Sequence, residues 1–336
     1  TARGLVEGDR RTWAYVDLPA DLGPRSLQLY GSDPAVLGDA VAMLVAEDRV
    51  DHLDLNLGCP VPKITSGGGG AALPVKRRLL RAVLRAAVTA AAGRVPVTVK
   101  MRLGLDDDRH THLDTAAIAV AEGCAAVALH ARTVEQGYAG AARWSRIGEL
   151  AEFVDGAVPV LGNGDIWTAD DALEMVQRTG CDGVVVGRGC LGRPWLFADL
   201  ARAFSGGAPR GPPPFGETAA AARRHLDLLL AHTGVAPGSE AADRVVRRFR
   251  KHLRWYLEGY DGVSDELHDR AGRVSDVADV DRILTAVPSG AAVRAEAVAR
   301  PRGTISPGRV KLPHGWWDDR DAQVTVPDPT GVLSGG

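Results

Sequence analysis

The sequence predicts a parallel α/β fold of the TIM-barrel type, and two observations lead there. From residue 27 to about 190, short β-rich runs alternate with longer Ala/Leu/Val helical patterns, the order that builds βαβ units. Each strand candidate also ends in a polar group: Gln28 and Tyr30, Asn56, Lys100 and Arg102, His130 and Arg132, Asn163 and Asp165, Gly187 and Arg188. In a TIM barrel such ends converge on the C-terminal rim, where that fold places its active sites. A Rossmann sheet would instead gather them behind a G-x-G-x-x-G turn after its first strand, and no such turn is present.

Strands are expected at 27–30, 52–56, 97–101, 126–130, 158–161 and 183–186, with amphipathic helices at 35–46, 79–92, 115–122 and 170–178. The chain begins at Thr1 rather than at methionine. We read it as N-terminally truncated, with a (β/α)8 barrel that lacks its first strand. The barrel is expected over 1–204, followed by a linker at 205–216 built on Gly206-Gly207-Ala208-Pro209-Arg210-Gly211-Pro212-Pro213-Pro214. A small all-helical domain is expected over 217–287, with helices at 217–232 and 241–258 and a helical segment at 265–285. Residues 288–336, rich in Pro, Gly, Ala, Arg and Asp, read as a disordered tail in which Trp316-Trp317 is a weak docking point.

Composition limits the function. The chain of 336 residues is 45% hydrophobic with a formal net charge of −2, so it can bury a large core and is no polycation. Nucleic-acid binding would need a local basic face. Cys59, Cys124, Cys181 and Cys190 form no C-x-x-C pair, which argues against zinc and disulfides and for a reducing cytosol. No apolar run is long enough to span a bilayer, and no signal-peptide pattern is present. His110 and His112 lie in a charged loop after Asp106-Asp107-Asp108, which reads as solvated surface in preference to a metal site.

The richest window is Asp54-Leu-Asn-Leu-Gly-Cys-Pro-Val-Pro-Lys63. A strand ends at Asn56, and Gly58 and Pro60 bend the backbone around the thiol of Cys59, which could give or take a proton. The alternative is a small buried hydrophobe, as most free cysteines are. The glycines of Ser66-Gly-Gly-Gly-Gly70 lack the Lys-Ser/Thr of a P-loop. Lys100 alternates with apolar Val97, Val99 and Met101, so it is either buried opposite an anion, such as the N1/O2 edge of a reduced flavin, or a strand-end lysine reaching solvent. His130 could bond the same cofactor or be structural. Gly162-Asn163-Gly164-Asp165 and Gly187-Arg188-Gly189 suit a phosphate or ribityl chain, or are simple tight turns. On the helix at 241–258, Val245, Phe249, Leu253 and Tyr256 share one face, and Arg244, Arg247, Arg248, Lys251 and Arg254 fill the other. With few interleaved acids, that side suits phosphates better than a plain solvated face does.

These motifs together resemble the tRNA-dihydrouridine synthases. The resemblance rests on Asn56-Leu-Gly-Cys59-Pro with Gly70-Ala-Ala-Leu73, Val99-Lys100-Met101-Arg102, His130-Ala-Arg132-Thr with Gln136-Gly-Tyr138, and Asn163-Gly-Asp165-Ile. It extends to Gly187-Arg188-Gly-Cys-Leu-Gly-Arg193-Pro-Trp195 and Lys251-His252-Leu-Arg-Trp255-Tyr256-Leu257, and covers residues 1 to about 285. It implies an FMN-binding TIM barrel with a helical tRNA-binding domain, in a cytoplasmic monomer that uses NADPH and no metal. Carried over, Cys59 is the general acid that protonates C5 of a uridine while reduced FMN delivers hydride to C6. Asn56 positions the base, and Gln28, Lys100 and His130 contact the flavin. Asn163, Gly164, Asp165, Gly187 and Arg188 hold the ribityl-phosphate, and Arg132, Arg244, Arg248 and Lys251 face tRNA. Two features depart from the family: the Pro-Met-Ala-Gly-type first strand is missing, and Leu73-Pro74 replaces a pair of leucines. The rivals are a dihydroorotate dehydrogenase-like flavin barrel, which has no use for the basic helix, and an inactive RNA-binding protein.

Overall fold

The structure, a computed structural model, describes residues 1–19, 23–236, 238–299, 301–303 and 306–324. The chain divides into two compact units: the described residues within Thr1–Gly164, Met175–Val185 and Thr304–Gly336, and those within Asp165–Glu174 and Val186–Gly303.

The first unit holds six parallel strands, paired in sequence order: β1 (Ser26–Leu29), β2 (His52–Leu57), β3 (Val97–Arg102), β4 (Ala126–His130), β5 (Val160–Asn163) and β6 (Gly183–Val185). Parallel neighbours need crossovers, and helices supply them: α1 (Pro34–Ala46), α2 (Arg77–Ala91), α3 (His112–Ala121), α4 (Ser145–Val154) and α5 (Ala169–Thr179). This sequential parallel α/β order is that of the TIM-barrel class. Helix α1 starts where it does because Pro34 occupies its first turn and the Asp33 carboxylate accepts from the Ala35 and Val36 N–H groups. Its Leu37, Ala40, Val41 and Leu44 are buried, as are Leu80, Val83, Leu84 and Ala87 of α2.

Strand alternation sorts the two sheet faces. Leu53, Leu55, Leu57, Val97, Val99, Met101, Val127, Leu129 and Val160 are buried on one. The other carries Ser26, Gln28, His52, Asp54, Asn56, Thr98 and Lys100, aligned by the registers Gln28↔Asp54, Asp54↔Thr98 and Asn56↔Lys100. Strand β5 lies two residues later than expected at 158–161, because Pro159 has no N–H to donate and only its carbonyl joins the ladder, accepting from Val127 at 3.0 Å.

The second unit contains α6 (Leu196–Phe204), α7 (Phe215–His232), α8 (Glu240–Leu257), α9 (Asp265–Ala271) and α10 (Val277–Thr285). Phe215, Leu226, Val246, Phe249, Leu253, Leu257, Tyr260 and Ile283 form its core. The expected segment at 265–285 is two helices, each with its own side-chain cap, Ser264 on Leu267 and Asp276 on Asp279. The division between units also differs from the expected boundary at 204. Buried Asp199 of α6 accepts from the backbone N–H groups of Arg210 and Gly211 at 2.8 and 3.1 Å, which ties the presumed linker to the second unit.

The expected disordered tail is likewise corrected where it is described. Ser289 and Ala291 accept backbone hydrogen bonds from Gly216 and Phe215 within the second unit. Residues 306–324 pack in the first unit, where Trp316 is 5% exposed. Residues 325–336 lie outside the described residues. Among the described residues no helix is long and apolar enough to cross a membrane.

Candidate active site

The polar face of the first strands is one hydrogen-bonded chain. Gln28 donates from Nε2 to Asp54 Oδ2 at 2.6 Å, and Asn56 Nδ2 donates to Gln28 Oε1 at 2.8 Å. Thr98 Oγ1 donates to Asp54 Oδ1 at 2.7 Å, and His52 joins Thr98 at 2.9 Å and Ser26 at 2.7 Å. Asp54 stands two residues before Asn56 and so shares its face, a role that its place in the sequence motif does not by itself reveal. Lys100, paired in register with Asn56, is half-buried. Burial, followed by the neighbouring Arg102 cation, lowers its pKa to about 8, while Asp54 pulls it back up. Among the described residues Lys100 makes no direct hydrogen bond or ion pair. A half-buried cation in that position favours an anion close by.

Cys59 lies three residues beyond Asn56 in a turn held at both ends. Asn56 Oδ1 accepts from the Gly58 N–H at 3.0 Å, and the Cys59 carbonyl accepts from Ala71 N–H at 3.1 Å. Gly70 is obligatory here: its φ is +53°, and a Cβ would stand 2.7 Å from the Cys59 carbonyl oxygen. The thiol is partly exposed. Tyr30 lies near enough that Cys59, after burial, raises its phenol pKa.

A second row crosses β3, β4 and β5 through the registers Arg102↔His130 and His130↔Asn163. Arg102, 5% exposed, donates to the Gly58 carbonyl at 3.0 Å and to the Thr133 and Gly137 carbonyls at 2.9 and 3.0 Å. It therefore fastens the Cys59 turn to the loop after β4, a role that sequence spacing did not reveal. His130 is 6% exposed, with its ring 5.9 Å from that of Tyr138 and Arg132 Nη1 at 3.4 Å from its Nε2. Asn163 donates to the Val185 carbonyl at 2.6 Å. Gly164 has φ +130°, and a Cβ there would meet Ala142 at 2.6 Å.

Arg132 departs from its expected role. It is 1% exposed and donates to the carbonyls of Ala139 and Gly140 at 3.3 and 2.6 Å, so it shapes its own loop and does not face outward to tRNA. His112 is also corrected. It is buried, with Nδ1 3.0 Å from the Leu103 carbonyl, and burial lowers its pKa; the expectation of a solvated loop fails because His112 opens α3. No group of three or more His, Cys, Asp or Glu able to hold a metal occurs among the described residues.

Within the second unit, Asp165 takes the left-handed φ of +54° and ion-pairs with Arg188 at 3.4 Å, while the Arg188 guanidinium lies 5.2 Å from the centre of the Trp167 ring. Gly187 is exposed and precedes a short 3-10 turn at Arg188–Cys190. Gly189 and Gly192 are required by packing: a Cβ would stand 2.0 Å from the Ile166 carbonyl oxygen and 2.3 Å from that of Trp255, respectively. On α8, Arg244, Arg247, Arg248, Lys251 and Arg254 are all exposed opposite buried Val245, Phe249 and Leu253. Lys251 stacks over Trp255 at 4.9 Å.

Residues 1–291 match the family described as dihydrouridine synthase. A probable tRNA-dihydrouridine synthase of Mycobacterium leprae is 49% identical over 338 residues, spanning 100% of this chain and 85% of that protein. Its Mycobacterium tuberculosis counterpart is 48% identical, over 100% and 84%. The tRNA-dihydrouridine synthase B of Xanthomonas axonopodis is 34% identical over 262 residues, covering 77% of this chain and 74% of that one. A dihydroorotate dehydrogenase structure from Eimeria tenella superposes with a TM-score of 0.37 at 16% identity, over 48% of this chain and 51% of that one, a likeness too slight to argue from. With a family match over most of its length and relatives near half identity, the chain is an enzyme of the dihydrouridine synthase family.

Proposed function

We propose that this enzyme reduces a uridine of tRNA to 5,6-dihydrouridine with FMN and NADPH, and that Cys59 gives the proton to C5. The observation that carries the reading is Lys100: a half-buried cation with a lowered pKa, no direct hydrogen-bonding partner among the described residues, and a place in register with Asn56. Such a group fits the electron-rich N1/O2 edge of a flavin. FMN, when bound, supplies the hydride for C6 and is restored by NADPH.

The rest is the work of the chain's own side chains. Gln28 and Asn56, already fixed to one another and to Asp54, present amide groups that orient a flat heterocycle. Cys59 Sγ–H gives its proton to C5 as the C5–C6 double bond is lost, and the thiolate regains one from solvent. His130 is a neighbouring ring contact, held by Arg132 and Tyr138. For the ribityl-phosphate we propose Asn163 and Gly164 and, on the family resemblance, Asp165, Gly187 and Arg188. Arg244, Arg248 and Lys251 serve tRNA phosphates, and Arg132 is not among them. A target uridine would leave its stack to be reached.

The test incubates the protein with FMN, NADPH and unmodified tRNA and reads the nucleosides by mass spectrometry. A uridine should gain two hydrogens, and Cys59→Ala should slow that gain by roughly 10²–10⁴-fold, the usual worth of a general acid. NADPH oxidation with no modified nucleoside would instead point to a small-molecule flavin oxidoreductase.

A further inference from the structure

Beyond residue 291, where the family match ends, the segment at 306–324 lies against the turn that follows Cys59. Trp316 is buried, and its indole N–H donates to the Ala72 carbonyl at 2.8 Å. Its ring edge abuts Gly68, where a Cβ would stand 2.7 Å from two of the ring carbons. On the other side of the same turn, the Ala71 N–H holds the Cys59 carbonyl, and Gly70 lies too close to that carbonyl for any side chain. Thus residues 68–72 are clasped between the Cys59 backbone and one indole. Gly67-Gly68-Gly69-Gly70 has the greatest backbone freedom of any stretch near the thiol and most needs an external support.

The segment is anchored just beyond Trp316, at residues 317–321. Lys76, 3% exposed, lies 5.3 Å from the indole centre and donates from Nζ to the Asp319 carbonyl at 2.5 Å. The Arg77 N–H donates to the Arg320 carbonyl at 2.9 Å, and its guanidinium grips both Asp321 oxygens at 3.0 and 2.6 Å. Arg320 in turn pairs with Asp114 of α3 at 2.7 Å. Two arginines, Arg109 and Arg320, flank Trp317 at 5.9 and 4.9 Å.

We propose that Trp316 is a positioning residue for Cys59, and that residues 306–324 act as a strap that fixes the glycine turn and so the height and direction of the thiol. The inference rests on the reading of Cys59 as proton donor. It adds that the geometry of that donor depends on a segment more than two hundred residues away in sequence. Among the described residues no hydrogen bond or ion pair joins the strap to Lys100 or Asn56, so its loss should spare the reduction of the flavin and harm the step at the base.

The experiment compares wild type, Trp316→Phe and Trp316→Ala in two measurements. One is the rate at which iodoacetamide alkylates Cys59, read by peptide mass with Cys190 as the internal reference, which requires no turnover. The other is stopped-flow flavin absorbance, which separates reduction by NADPH from re-oxidation by tRNA. In Trp316→Ala the Cys59 alkylation rate should shift severalfold against Cys190, and re-oxidation should slow about 10- to 100-fold, as small misplacements of a reacting group do. Reduction by NADPH should stay within about twofold, because that half-reaction does not use the thiol. Trp316→Phe, which keeps an aromatic ring in the slot but loses the N–H and the outer ring carbons that meet Gly68, should fall between and covers the case in which the alanine variant does not fold. Unchanged Cys59 alkylation and re-oxidation in the variants would overturn the proposal. If wild type itself made no dihydrouridine, the synthase reading would fail, yet the alkylation rates would still decide whether the strap holds the thiol.

Discussion

Lys100, Arg102 and Arg132 in the first unit carry the same charge as Arg244, Arg247, Arg248 and Lys251 in the second, in opposite surroundings. The first three are half-buried or buried, and the two guanidiniums are spent on loop carbonyls. The α8 cations are exposed, and among the described residues the one ion pair of those four is that of Arg244 with exposed Glu240, at 3.1 Å. A buried cation fixes geometry and is insensitive to salt; an exposed one acts at a distance and is screened within about 8 Å at physiological ionic strength. The difference teaches that burial alone turns the same residue types from internal fasteners of loops into a free surface of charge, and on the roles proposed above that separates a site for a flat heterocycle from one for a polyanion.

Three measurements would break or sharpen that contrast. Arg132→Ala should have the largest effect, costing about 3 kcal/mol of stability, because it empties the space of a side chain only 1% exposed, beside His130, and unties the 139–140 loop. Urea unfolding midpoints measure it, and a loss below about 1 kcal/mol would mean that the loop is held by something other than this guanidinium. Next, Arg248→Ala combined with Lys251→Ala should weaken tRNA binding about tenfold at moderate salt and flatten the log–log salt dependence by about 1.5, with little change in unfolding midpoint. An unaltered slope would remove α8 from the tRNA interface.

The smallest effect concerns Lys100, whose folded pKa of about 8 lies below its ordinary 10.5. Below about pH 8 both folded and unfolded chains are protonated there, and the folded state carries the full cost of burying the charge. Between about 8 and 10.5 the unfolded chain binds a proton that the folded chain has released, so stability rises with pH across that window. Lys100→Met should remove about 1 kcal/mol of that rise in the flavin-free protein, a figure discounted for the partial exposure of the ammonium. Identical pH profiles in the two proteins would show that the ammonium reaches water.

What could be read from the sequence, and what could not, follows the range of the forces involved. Strands β2, β3 and β4 were placed within a residue because period-two burial is a local property, and the polar residue at each strand end marked the side with chemistry. Helix α4 was not anticipated: Gly148 interrupts its pattern, and the structure explains it by the Thr179 backbone, 3.5 Å from where a Cβ would be. Cys59 was legible as a held thiol because Gly58 and Pro60 sit beside it. The burial of Arg132 was not, since its acceptors are carbonyls seven and eight residues onward that only the folded loop brings back. The sequence shows Trp316 as no more than a weak docking point, because its receptor, Gly68, is remote in sequence and carries no side chain to pair with.

Gly192 carries a consequence for the basic helix. Consecutive side chains on an α-helix are spaced by about 100° around its axis. With the Gly192 backbone wedged against the Trp255 carbonyl, and a Cβ there 2.8 Å from the Tyr256 nitrogen, the last turn of α8 is keyed like a shaft in its slot. The close fit opposes a roll of the helix, so the azimuth of Arg244 and Arg248 is set at its far end, in the turn where Lys251 lies over Trp255. Any side chain at position 192 must displace the Trp255 backbone, and with it the last turn of the helix that carries those cations, without removing a single charge.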